Sequence, residues 1–215
     1  MQRHLACRSR EAMAVARRQV GKAALAAAAL LALLPGADLQ AATFAMPQRI
    51  TGTASADAEP PQLATSGNSV YLVWHEAESS AVQAPEIWFA RSTNNGGAFG
   101  TRVNISASAG VYSSEEQVFA SGSSVFIVWT EDDLVQKKVY FRRSTNGGSS
   151  FSAKKLLSDA NAPSNPRVTA SGVNVVVAWQ NAGAGGNQDI YFRQSTDTGG
   201  TFGAGKNVTN NTAQS

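Results

Sequence analysis

The stretch Ser144-Thr-Asn146-Gly-Gly148-Ser-Ser-Phe151 decides the fold, because the chain contains it three times. The other two copies are Ser92-Thr-Asn94-Asn-Gly96-Gly-Ala-Phe99 and Ser195-Thr-Asp197-Thr-Gly199-Gly-Thr-Phe202. The copies start 52 and then 51 residues apart. A fixed period of this size is typical of an array of like supersecondary units, and it suits the four-stranded blade of a β-propeller.

The residue types within the stretch are those of a tight hairpin turn. The Asn or Asp at its third position can accept hydrogen bonds from backbone N–H groups two or three residues further on. The Gly at its fifth position permits a positive φ that a Cβ would disfavour. The Ser begins the turn, and the Phe returns an apolar side chain to the core. We therefore predict a structural role for these twelve residues: Ser92, Asn94, Gly96, Phe99, Ser144, Asn146, Gly148, Phe151, Ser195, Asp197, Gly199 and Phe202.

The pattern resembles the Asp-box, or bacterial neuraminidase repeat, of the sialidase-superfamily β-propellers. The resemblance covers Arg49 to Ser215 and departs from the family in two ways, since the acid is Asn in two copies and the usual Trp is Phe in all three. It implies an all-β fold of four-stranded antiparallel blades. The family includes sialidases, other glycosidases, sorting receptors and non-catalytic scaffolds, so the resemblance alone does not imply one activity.

Each copy of the stretch lies within a longer repeated unit. A short strand, a Ser-Gly turn and an apolar run ending in Trp recur at Pro61–Trp74, Glu116–Trp129 and Pro166–Trp179. A third strand, the turn and a fourth strand follow in every copy. The chain from residue 46 to 215 is therefore predicted to contain about three blades, at residues 60–107, 115–158 and 165–209. The resemblance to the sialidases implies that these blades are part of a six-bladed propeller.

Residues 1–45 are predicted to be a signal peptide. A basic region precedes the run Ala23–Leu34, which contains only Ala and Leu, and small residues follow it. Twelve apolar residues are too few to span a bilayer, which requires about 20. Met13 would give a more ordinary start, and Arg17-Arg18 leaves export by the Sec or the twin-arginine route open. The protein is expected to be secreted or periplasmic, without a membrane span after cleavage.

The rest of the composition excludes several classes of function. From Ala42 onward the chain has 12 Lys and Arg against 13 Asp and Glu, so no basic face predicts a nucleic-acid partner. The same part contains no Cys, and its only His is His75. Disulfides, thiol catalysis and a zinc site of Cys and His are therefore excluded.

The repeat predicts two different faces. The Ser-Gly turns and the repeated stretches lie at one face, and the loops joining strand two to strand three and blade to blade lie at the other, which we call the loop face. Variable loops on a rigid scaffold commonly carry function. The predicted ligand contacts on this face are His75, Glu76, Glu116, Glu131, Asp133 and Arg167. Its acidic loops could bind Ca²⁺ or a cationic group of a ligand, although no loop has the spacing of a calcium loop; no other cofactor or metal is predicted.

A sialidase, as the resemblance implies it, needs three arginines for the substrate carboxylate, a Tyr nucleophile with a Glu partner, and an acid/base Asp. The candidates here are Arg167, Tyr112, Glu115 and Asp132, which do not form a complete set. The expected function is a non-catalytic module that binds a glycan or a protein partner through its loop face. A degenerate or truncated exo-sialidase or other glycoside hydrolase is the alternative, and a structural spacer is a third.

The number of blades predicts how the propeller would close. Three blades leave two apolar sheet faces, and propellers close with at least four blades. Either the sequence is the front part of a longer propeller, or two copies form a homodimer that closes a six-bladed ring. In the second case Arg49–Gly52, which aligns with the fourth strands, would complete a neighbouring blade.

Overall fold

The chain folds into three four-stranded antiparallel sheets of one design, as expected. The computed structural model describes residues 47–52, 58–77, 84–159, 162–182 and 187–209; the predicted signal peptide lies outside them. The first sheet consists of β1 (Gln62–Ser66), β2 (Ser69–Glu76), β3 (Glu86–Ser92) and β4 (Val103–Asn104). The second has β5 (Tyr112–Ser121), β6 (Ser124–Asp132), β7 (Lys137–Ser144) and β8 (Lys155–Leu156). The third has β9 (Ser164–Ser171), β10 (Asn174–Ala182), β11 (Gln188–Ser195) and β12 (Lys206–Asn207).

The core lies between the stacked sheets. The first and second sheets enclose one cluster of buried side chains that includes Phe89 and Trp129, and the second and third enclose another that includes Phe141 and Trp179. Val125–Trp129 of β6 is buried on both faces because the second sheet lies between the other two. The Trp that ends each apolar run is therefore a core residue, as predicted.

All three repeated stretches, which we call the repeat turns, form the same hydrogen-bonded turn. In the second, the Ser144 hydroxyl donates to Asn146 Oδ1 at 2.8 Å and accepts from the Gly148 N–H at 2.9 Å. Asn146 Oδ1 also accepts from the Ser150 N–H at 3.0 Å. The side-chain acceptor thus reaches four residues along the chain, further than the two or three expected. Gly148 has φ 76°, which explains the requirement for Gly.

The phenylalanines of the repeat turns join neighbouring sheets. Phe151, in the turn of the second sheet, packs edge-on against Phe89 of the first sheet with ring centroids 4.9 Å apart. Phe202, in the turn of the third sheet, meets Phe141 of the second in the same way at 4.9 Å. The second and third turns therefore each close their own hairpin and also anchor their sheet to the preceding one.

Two arginines strengthen these joints. Arg91 of β3 donates to the carbonyl of Gly147 in the next sheet's turn at 2.7 Å. Arg143 of β7 donates to the carbonyl of Asp197 in the turn of the third sheet at 2.9 Å. Buried or half-buried carbonyls that receive charged donors are held firmly, so the sheet order is fixed by polar contacts as well as by packing.

The segment Arg49–Gly52 forms no strand, which corrects the alignment with the fourth strands. It lies instead against the first sheet, where Ile50 packs on the cluster that contains Trp74 and Trp88. The Gly52 N–H donates to Glu76 Oε1 at 2.9 Å. Its backbone pairs with a side chain rather than with a sheet edge, so no ladder of hydrogen bonds forms.

Candidate functional site

The loop face is the edge at which β5 begins and β6 ends. Tyr112, the first residue of β5, pairs with Asp132, the last residue of β6. Tyr112 therefore belongs to a strand, and its exposed fraction is 47%. The strands bring the predicted site residues to one edge, but the structure gives them very different surroundings.

Glu76 lies in the interior and not on a solvent-facing loop. Its carboxylate is fully buried and accepts from the Trp74 indole N–H at 2.7 Å. Arg102 forms an ion pair with it at 3.2 Å. A buried carboxylate requires such partners because burial of an unpaired charge is costly.

Glu131 repeats this arrangement in the second sheet. It accepts from the Trp129 indole N–H at 3.0 Å and from Lys154 Nζ at 2.8 Å. In the third sheet Asn181 takes the place of the Glu, and among the described residues neither its Oδ1 nor the buried Trp179 N–H has a hydrogen-bond partner. The placement of Glu76 and Glu131 among ligand contacts is therefore corrected, because both carboxylates are used inside the sheets.

His75 and Glu116 connect the first and second sheets at the loop face. His75 Nδ1 lies 2.9 Å from Glu116 Oε2, and the two side chains are 16% and 3% exposed. Burial lowers the pKa of His75. The hydrogen bond and the charge of Glu116, with smaller effects of Glu59 and Glu115, raise it by more than burial lowers it, so that the pKa lies above 6.5. Glu116 is consequently a buried partner of the histidine.

Glu115 occupies a β-bulge at the start of β5. It has φ 58°, and the register shifts between Ser114 and Gln117, so that its side chain is redirected along the loop face. Its carboxylate accepts from Lys137 Nζ at 2.7 Å and from the Asn165 N–H of the third sheet at 2.8 Å. Glu115 therefore joins the second and third sheets.

Asp132 and Asp133 shape the hairpin between β6 and β7. Asp132 Oδ1 accepts from the Leu134 N–H at 2.9 Å, and Asp133 Oδ1 accepts from the N–H groups of Val135 and Gln136 at 3.0 and 2.7 Å. These backbone bonds lower the pKa of Asp133. The tip presents Leu134 and Val135 to solvent, 95% and 84% exposed.

Arg167 differs from the acids because its charge faces solvent. It lies exposed in β9, and its guanidinium donates to the carbonyl of Pro166 at 2.9 Å. It borders a cavity of about 400 Å³ whose walls include Trp179, Gln180 and Ile190. The remaining donors of the guanidinium fork suit a planar carboxylate.

The comparison with solved structures identifies the architecture. A Hadza microbial sialidase, Hz136, superposes with a TM-score of 0.52 at 14% identity, over 66% of this chain and 36% of that one. The GH93 α-L-arabinofuranosidase of Fusarium graminearum gives 0.48 at 14% identity, over 65% and 45% of the two chains. A Trypanosoma rangeli sialidase gives 0.47 at 14% identity, over 71% and 28%.

The chain is a sialidase-like β-propeller in fold. No family model matches its sequence, and no curated protein matches it. It spans less than half the length of each of the three proteins named above. The prediction of an all-β fold of four-stranded propeller blades is confirmed.

The chemistry open to this propeller follows from its carboxylates. Glycoside hydrolysis usually requires two carboxyl groups facing each other across the scissile bond. Glu115 and Glu116 are neighbours in sequence, but Glu116 bonds to the first sheet and Glu115 to the third.

Within the described ranges, no group of three or more His, Cys, Asp or Glu side chains could hold a metal ion. In the same part of the chain, no helix is long and apolar enough to cross a membrane.

Proposed function

We propose that this sialidase-like propeller is a non-catalytic, secreted module that binds a glycan or a protein ligand through its loop face. The observation that supports the proposal is that the loop-face acids already have hydrogen-bond or ion-pair partners within the fold. Glu76, Glu116 and Glu131 are buried with partners, and Glu115 is bonded to Lys137. Glycoside hydrolysis usually requires two carboxyl groups that are free to meet a substrate.

Arg167 is the main ligand contact in this proposal. Its exposed guanidinium lies beside a cavity large enough for a monosaccharide-sized group, because small-molecule sites begin at about 300 Å³. The wall formed by Trp179 and Ile190 offers an apolar surface. These features together favour a ligand that carries a carboxylate on an apolar ring or chain, such as an acidic sugar or a carboxylate side chain of a protein.

Secretion is part of the proposal because of the amino-terminal sequence. The order of a basic region, an apolar run and small residues in positions 1–45 is that of a signal peptide. Edman sequencing of protein recovered from the medium or periplasm tests it. A mature amino terminus near residue 45 is expected, and an uncleaved cytosolic product would contradict it.

A glycan array with three proteins tests the binding site. The wild type should bind acidic glycans, and Arg167→Ala should lose at least about tenfold in affinity, since a bidentate Arg–carboxylate contact contributes about 1.5–3 kcal/mol. Lys206→Ala is the matched control, because it removes an exposed cation from β12, at the other edge of the same sheet. Equal binding by all three proteins would contradict the role of Arg167.

A further inference from the structure

At the loop face, a contact between His75 and Glu116 joins the first and second sheets. This contact depends on a group that titrates, the imidazole of His75. His75 is the penultimate residue of β2, and Glu116 lies in β5 of the next sheet, with 2.9 Å between Nδ1 and Oε2. The Glu116 side chain is only 3% exposed. A carboxylate so far from solvent is stable when a positive partner or strong donors accompany it.

The groups around the imidazole are acidic. Glu59, in the segment that precedes β1, donates its backbone N–H to the His75 carbonyl at 3.1 Å. The charges of Glu59 and of Glu115 in β5 act on the imidazole together with that of Glu116. All three favour the protonated ring, and burial opposes them without prevailing, so the pKa of His75 lies above its ordinary value of 6.5.

The joint between the second and third sheets has no such dependence. There the bridging carboxylate of Glu115 is held by Lys137 Nζ at 2.7 Å and by the backbone N–H of Asn165 at 2.8 Å. Lysine keeps its charge, and a backbone amide keeps its proton, throughout the range from about pH 5 to 8. The two joints therefore form an internal comparison within one molecule.

We propose that the His75–Glu116 contact is a pH-sensitive latch between the first and second sheets, closed while the imidazole is protonated and loosened when it is neutral. Loss of the proton leaves a buried carboxylate beside a neutral ring. The latch is fully closed below pH 6.5 and is lost as the pH rises through the higher value that His75 has in the folded protein. Because both residues lie at the loop face, the opening affects that face between β1 and β5.

Proton NMR of the histidine rings tests the first half of the proposal. The sequence has two histidines, and His4 lies in the predicted signal peptide, so the one histidine resonance of the cleaved protein belongs to His75. The expected titration midpoint of His75 is above 6.5, and Glu116→Gln should lower it because it removes the attracting charge. A midpoint at or below 6.5 in the wild type, or one that Glu116→Gln leaves unchanged, would overturn the proposal.

Hydrogen exchange of the same protein tests the second half. After correction for intrinsic rates, the protection of a peptide covering residues 112–117 should fall several-fold between pH 5.5 and 8.5, relative to a peptide covering 164–168. His75→Gln should remove this pH-dependent loss of protection. Lys137→Met, which weakens the joint between the second and third sheets, should leave the loss in place. A constant ratio in the wild type, or the same change in His75→Gln, would overturn the proposal.

Discussion

The joint between sheets can be tested by a matched pair of glycine substitutions in the repeat turns. Gly96 and Gly148 occupy equivalent positions with φ 85° and 76°. A Cβ on Gly96 would meet only Val70 Cγ2, at 3.9 Å, whereas a Cβ on Gly148 would lie 2.6 Å from Phe89 Cζ in the neighbouring sheet. Gly96→Ala therefore measures the cost of positive φ alone, and Gly148→Ala adds the clash.

The expected magnitudes follow from these two effects. Positive φ at an alanine costs about 1 kcal/mol. Overpacking of a well-packed contact costs a further 1–3 kcal/mol, roughly. Gly96→Ala should thus lower the free energy of unfolding by about 1 kcal/mol and Gly148→Ala by about 2–4 kcal/mol. The Gly148 backbone cannot move away easily, because its N–H donates to Ser144 Oγ.

Equilibrium unfolding in urea measures both variants. Both glycine variants are also made in a protein that carries Phe89→Leu. There the difference between their losses in free energy of unfolding should be smaller, because the ring that clashes is removed. Gly199→Ala should behave like Gly148→Ala, because its Cβ would lie 2.6 Å from Phe141 Cζ. Equal losses for Gly96→Ala and Gly148→Ala, within about 0.5 kcal/mol, would refute the proposed contact between the repeat turn and the preceding sheet.

Five further substitutions test other parts of the structure. Phe151→Ala should lower the free energy of unfolding by about 3 kcal/mol, and Phe99→Ala by clearly less, because Phe151 meets Phe89 of the neighbouring sheet whereas Phe99 packs on a cluster of its own sheet; urea unfolding checks both. Glu131→Ala should cost more than about 2 kcal/mol, since it leaves the buried Trp129 indole N–H without its acceptor and removes the ion pair with Lys154, whereas Asn181→Ala should be near neutral in the same assay. The Ser195 hydroxyl and the Thr201 N–H and hydroxyl hold the pKa of Asp197 below its usual range. Its stabilising effect is therefore present above pH 3.8 and lost as the pH falls, so Asp197→Asn should flatten the acid side of a plot of Tm against pH.

The fold could be predicted from the sequence because its signals are local. Asn146 and Gly148 specify a turn through their own hydrogen bonds and dihedral angles, and the same chemistry recurs at a constant period. The apolar run before Trp129 indicates a strand covered on both faces. None of these inferences requires knowledge of which side chain lies opposite in another sheet.

The site was predicted less well because it depends on contacts between distant residues. Glu76 ends β2 and Glu131 is the penultimate residue of β6. An acid so close to a strand end normally indicates a solvated loop, and the sequence does not show that these two side chains turn inward. A signal was nevertheless present. The first two units combine this Glu with a cation before the fourth strand, Arg102 or Lys154, and the third unit lacks both.

The joint residues Arg91 and Arg143 illustrate the same limit. They lie beside the repeat turns in sequence, but the acceptors of their hydrogen bonds are carbonyls in the next sheet, more than 50 residues away. Only the stacking of sheets brings donor and acceptor together. Local chemistry therefore predicted the elements, and their assembly determined which polar groups remain available to a ligand.

The central claim is that the carboxylates a glycosidase would need already have partners within the fold. Hydrolysis of a fluorogenic sialoside by the purified protein tests this claim most directly. The assay compares the wild type with Arg167→Ala and Lys206→Ala at pH 5 to 8. We predict no turnover above the blank for any of the three proteins. Saturable turnover by the wild type and Lys206→Ala that Arg167→Ala abolishes would contradict the claim and establish a catalytic propeller.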